Sequence, residues 1–148
     1  MQFLEAAAYL AAILGGLSAA IHFMLKQRRE SIANQRKVLT NTWTNEGDIS
    51  STETQFITLE IVNNQGDLIG SINLSSEERP LDCNIEVKQF YAILNITRLI
   101  RQSSYLVATV KLKLTGNENR LSWELKGKSD QKHQLKLPKK TILWLSGY

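Results

Sequence analysis

The apolar positions of this chain follow one rule up to about residue 25 and another beyond residue 40. Phe3–Leu25 is a run of 23 residues in which Glu5 and His22 are the only potentially charged side chains, with no polar stripe at helical spacing between Ala6 and Ile21. A helix packed on a protein surface would show such a stripe. Over 23 residues a helix rises about 35 Å, against a hydrocarbon core of about 30 Å. The pattern predicts a single transmembrane helix over residues 1–25. Beyond residue 40 the apolar residues alternate. In Tyr105–Thr115, Leu106, Ala108, Val110, Leu112 and Leu114 fall on one face, and Thr109, Lys111, Lys113 and Thr115 on the other. That period of two marks a half-buried antiparallel strand.

The same alternation recurs along the body. Gly116-Asn117-Glu118-Asn119 turns into Arg120–Lys126, with Leu121, Trp123 and Leu125 inward. An earlier hairpin joins Gln55–Val62 (Ile57, Leu59 and Ile61 inward) to Asp67–Leu74 (Leu68, Gly70, Ile72 and Leu74 inward) through Asn63-Asn64-Gln65-Gly66. Between residues 84 and 100 the phase changes: Ile85 and Val87 set one, Phe90, Ala92, Leu94 and Ile96 the other. A strand with a bulge near Lys88-Gln89 reconciles them. The β-favouring Ile93, Ile96, Thr97 and Ile100 weigh against a helix over Val87–Ile100. Thr141–Leu145 reads as a short last strand after Pro138. Seven or so short strands predict a mainly β body over residues 40–148, an antiparallel sandwich or barrel.

Within the apolar run, small residues come in pairs every four positions: Ala7-Ala8, Ala11-Ala12, Gly15-Gly16 and Ala19-Ala20. Small residues let helix backbones approach in lipid, where apolar surface alone gives helices no reason to associate. Ala8, Ala12, Gly16 and Ala20 form one row, with Gly15 and Ala19 in the row beside it, opposite a bulkier face of Tyr9, Leu10, Ile13, Leu14 and Leu17. The expectation is a helix–helix contact centred on Gly15-Gly16, with a second copy or with another membrane protein.

Charge then supplies a direction. Lys26, Arg28, Arg29, Arg36 and Lys37 lie within a dozen positions after Leu25, in a basic juxtamembrane segment over residues 26–39. The positive-inside rule places that segment and the β body on the cytoplasmic side of an inner or plasma membrane, with the basic residues near anionic lipid headgroups. A solvated continuation of the helix through Ile32–Gln35 is compatible. The stretch Met1–Glu5 carries an acid where a cleaved signal peptide needs basic residues. Cys83 is the single cysteine and agrees with a reducing compartment. Asn73 and Asn95 open glycosylation acceptor patterns that carry meaning only in an exported domain. The net charge of +4 is too small to point to nucleic acid. Its distribution is uneven: residues 40–87 hold nine acids and Arg79, net −8, and residues 88–148 hold twelve basic residues and three acids, net +9. Neutralisation across paired strands is the expected outcome. The alternative is a basic end of Lys126, Lys128, Lys132, Lys136, Lys139 and Lys140 facing a leaflet or an acidic partner.

Two short stretches resemble known families. Glu5 at the head of an Ala/Ile/Leu/Gly-rich helix leading into a β domain resembles mature type IV pilins and pseudopilins, which implies packing of such helices into a filament. Trp43-Thr-Asn-Glu-Gly47 followed by Gly66-Asp-Leu-Ile-Gly70 resembles the opening of avidin-like barrels, which implies a barrel and, as a function, binding of an apolar ligand or lipid.

No residue set announces chemistry. His22 falls in the apolar run and His133 in a polar turn, and no His/Cys/Asp/Glu spacing makes a metal site. There is no phosphate-binding glycine loop after a strand and no nucleophile dyad around Cys83. Trp43, Trp123 and Trp144 are expected in the core. The sequence therefore predicts a non-enzymatic, cofactor-free, single-pass membrane protein with a β-rich interaction or assembly domain. A membrane-tethered ligand-binding barrel and a pilin-like subunit are the alternatives.

Overall fold

One long helix runs directly into a closed barrel of eight antiparallel strands. The computed structural model describes residues 2–46, 55–127 and 135–146. The elements are α1 (Gln2–Leu39), β1 (Thr42–Thr44), β2 (Ile57–Asn64), β3 (Asp67–Leu74), β4 (Leu81–Val87), β5 (Ala92–Ile100), β6 (Ser103–Thr115), β7 (Arg120–Lys126) and β8 (Lys140–Leu145). Each strand pairs with its sequence neighbours. The ring closes where Trp43 and Thr44 of β1 face Leu145 and Trp144 of β8.

The basic segment continues α1 without a break. Residues 17–39 contain neither Gly nor Pro, so nothing stops the helix after the apolar run. It ends where its last carbonyls find other donors. Thr40 donates its N–H (3.2 Å) and Oγ1 (2.7 Å) to Arg36 O, Asn41 Nδ2 donates to Val38 O (2.7 Å), and Trp43 Nε1 donates to Leu39 O (3.2 Å). These bonds satisfy acceptors that every helix C-terminus leaves open. Arg36 and Lys37 complement the helix dipole there.

The barrel follows the alternation read from the sequence. Ile57, Leu59, Ile61, Leu68, Ile72 and Leu74 of the first hairpin point inward and are buried. Its turn is the two residues Gln65-Gly66, with φ of 52° and 96°, the left-handed pair that matches strand twist. Gly70 is required by a close approach: a Cβ there would stand 2.5 Å from the Glu60 carbonyl oxygen and 3.1 Å from Cys83 Sγ. Asn45 is buried and extends the β1–β2 ladder with its side chain, accepting from Ile57 N at 2.7 Å.

Four expectations are corrected. The two phases around Lys88-Gln89 belong to two strands, β4 and β5, and the expected bulge is their turn, closed by Lys88 N donating to Tyr91 O at 2.7 Å. Phe90 sits in that turn, 70% exposed, instead of facing inward. Leu106 also points outward. A bulge lies instead in β6, where Ile96 faces Ala108 but Thr97 faces Leu106; the skipped Val107 turns in and shifts every residue before it to the opposite phase. Trp43 and Trp123 are buried, but Trp144 lies on the outer face under the Arg120 guanidinium, 4.7 Å from its carbon to the ring centre.

Candidate membrane-facing site

The barrel has two unlike ends. The β2–β3, β4–β5 and β6–β7 turns lie at the end where α1 enters, and the last turns of the helix bind all three. Arg36 donates from its guanidinium to Gly66 O. Ser31 Oγ donates to Gln89 O at 3.0 Å, while Gln35 Nε2 donates to Lys88 O at 3.1 Å and also reaches Gln89 O. Asn34 Nδ2 donates to Glu118 Oε1 at 3.2 Å. Leu39, 1% exposed, completes the core from this end. Side chains at 31, 34, 35, 36 and 39 thus tie one helix to three separate turns, which fixes the helix axis against the barrel.

Above Ser31 the helix is bare. Every residue described from Gln2 to Glu30 is exposed, Phe3 to 91% and Tyr9 to 73%. The helix is long and apolar enough to cross a membrane. Ala8, Ala12, Gly15, Gly16, Ala19 and Ala20 lie on this bare length, and a Cβ built on Gly15 or Gly16 would meet nothing within 4 Å. Among the described residues, no side chain fills the small-residue face.

The five basic residues divide. Lys26, Arg28 and Arg29 are exposed between the apolar run and the first contact at Ser31, a rise of only about 9 Å from Leu25. Lys37 is exposed lower down, while Arg36 is half-buried and engaged with Gly66. Arg36 thus has a structural duty that its place in a basic run did not reveal.

Lys126, Lys139 and Lys140 lie at the end of the barrel away from α1, where β7 finishes and β8 begins, so they do not face the surface the helix approaches. Lys128 and Lys132 fall outside the described residues, as does His133. Charges do neutralise locally. Arg98 pairs with Glu77 at 2.6 Å across the acidic and basic halves. Glu124 faces Lys111 on one side and Lys140 on the other; its hydrogen bond from Lys126, then the charges of Lys126, Lys140 and Lys111, lower its pKa. Cys83 points into the barrel, and burial, helped by the Asp82 charge, pushes its thiol up to about 12, where it is inert as a nucleophile near neutrality.

Among the described residues, side chains fill the barrel interior. Trp43, Ile57, Leu59, Ile72, Leu94, Ile96, Val110, Leu121 and Leu143 each expose 0% of their surface, so none of them borders a water-sized space. Eight strands enclose an interior that side chains just fill. No group of three or more His, Cys, Asp or Glu side chains able to hold a metal occurs among the described residues. No family model, curated protein or solved structure matches the chain.

Proposed function

We propose that this chain is a single-pass membrane protein of an inner or plasma membrane that associates through the small-residue face of α1 and carries its barrel on the cytoplasmic side as an interaction or assembly module. The observation that carries this reading is the bare helix. Its apolar length is exposed throughout, with only the β4–β5 turn beside its last residues among the described parts of the chain, and a monomer in water rarely leaves so large a contiguous apolar surface exposed. Lipid and a second helix are the covers its chemistry fits. The basic residues Lys26, Arg28 and Arg29 at one end of that length support the cytoplasmic orientation and contact with anionic lipid. The sealed barrel interior favours a module that acts through its surface over one that carries an apolar ligand or lipid.

Gly16→Leu tests the association. A leucine there fills the shallow face without touching the barrel, so chemical cross-linking in native membranes should show the complex weakened on the order of tenfold, roughly 1.4 kcal/mol. The barrel should retain its wild-type urea midpoint. An undiminished complex would remove the small-residue face from the proposal.

A further inference from the structure

The β4–β5 turn stands highest along α1 of the three turns that meet it. Gln89 lines a cleft with Ile21, Met24, Leu25, Gln27 and Arg28, while its carbonyl is held by Ser31 and Gln35. The turn therefore lies along one stripe of the helix, from Ile21 through Met24-Leu25 and Arg28 to Gln35, and overlaps the end of the apolar run. At its tip Phe90 is 70% exposed, an aromatic ring left largely uncovered by the described residues at the level where the helix changes from apolar to basic. Arg28 lines that cleft, Lys26 and Arg29 are exposed within one turn of it on the helix, and Lys88 in the turn is paired with Glu86 at 2.5 Å.

We propose that Phe90 is a second membrane anchor, inserted into the headgroup and acyl boundary of an anionic leaflet beside the end of α1. This rests on α1 spanning the bilayer. The occupant is a lipid surface because the patch continues an apolar span, carries an exposed aromatic side chain and lies where the exposed cations Lys26, Arg28 and Arg29 of α1 begin, the combination that interfacial segments use. Hydrogen bonds from Ser31 and Gln35 fix the turn's depth relative to the helix. The barrel then rests on the leaflet on that side. The face centred on Gly15-Gly16 lies about 170° round the helix from Ile21, at about 100° per residue, so the anchor leaves it open.

The test uses the full chain in vesicles of equal parts phosphatidylcholine and phosphatidylglycerol. An environment-sensitive fluorophore is placed on Phe90→Cys, Ile13→Cys or Ser103→Cys and challenged with nitroxide-bearing lipid. Cys83 is buried and unreactive, and so stays unlabelled. Ser103 is exposed, beside the β5–β6 turn at the far end of the barrel. The proposal expects quenching at position 90 several-fold above that at position 103. Quenching at 13 with position 90 no better quenched than 103 overturns the second anchor and leaves the span standing. No quenching at 13 overturns the span, and the anchor with it. Photocrosslinking from p-benzoylphenylalanine in place of Phe90 gives an independent reading: lipid adducts support the anchor, and their absence contradicts it.

Discussion

The carbonyl oxygen of Leu39, the last residue of α1, accepts a hydrogen bond from Trp43 Nε1 at 3.2 Å, and both side chains are sealed in the barrel core. Helix end and barrel closure are therefore one unit. Trp43 also carries the seam, since β1 has three residues and pairs with β2 on one side and β8 on the other.

Leu39→Ala removes a fully buried side chain at that junction. The expected cost is about 2–5 kcal/mol of barrel stability, the range for such truncations in cores that relax only partly. Urea unfolding of the full chain in detergent, followed by the fluorescence of Trp43 and Trp123, measures it. A loss under about 0.5 kcal/mol, the scale of an ordinary surface substitution, would mean that the helix end is not part of the core.

Much of this was legible in advance, for a physical reason. Periods of two over Ile57–Leu74 and Leu112–Leu125 state which face is buried, and a strand with one buried face cannot slip by one residue without exposing its core. The joint was not legible. Ser31, Asn34, Gln35 and Arg36 look like ordinary solvated helix residues, because their partners at Gln89, Glu118 and Gly66 lie up to 84 residues away. The β4–β5 turn was missed because it contains no glycine; the β5–β6 turn has none either, since Arg101 and Gln102 take φ of 49° and 69° without it. Leu106 was misplaced because a bulge at Val107 leaves no compositional mark. The small-residue face was visible in the sequence, and it lies open on the bare helix.

Gly70→Ala should destabilise the barrel. Its new Cβ would fall 2.5 Å from the Glu60 carbonyl oxygen, a backbone atom that moves only by distorting the β2–β3 ladder. Overpacking of this kind costs about 1–3 kcal/mol. A lower thermal midpoint in detergent checks it, whereas an unchanged or raised midpoint would show that the strands have room to separate.

Cys83 gives stability a pH dependence at alkaline pH. Its thiol goes from an ordinary value of 9.0 to about 12 on folding, because burial disfavours the thiolate. A raised folded-state pKa means that the contribution is intact below pH 9 and is lost as pH rises towards 12. Between those limits wild type should lose about 1.4 kcal/mol more per pH unit than Cys83→Ala. Parallel stability curves for the two proteins would mean that the thiol ionises freely in the folded barrel.

The central claim is that α1 crosses the membrane and leaves the barrel on the side of its basic flank. Ser103→Cys, at the end of the barrel far from the helix, reports this with a membrane-impermeant maleimide applied to sealed right-side-out and inverted membrane vesicles. The account predicts labelling in the inverted vesicles alone, with the protein retained in the membrane through an alkaline carbonate wash. Labelling in right-side-out vesicles alone would reverse the orientation, and release by carbonate would contradict the span itself.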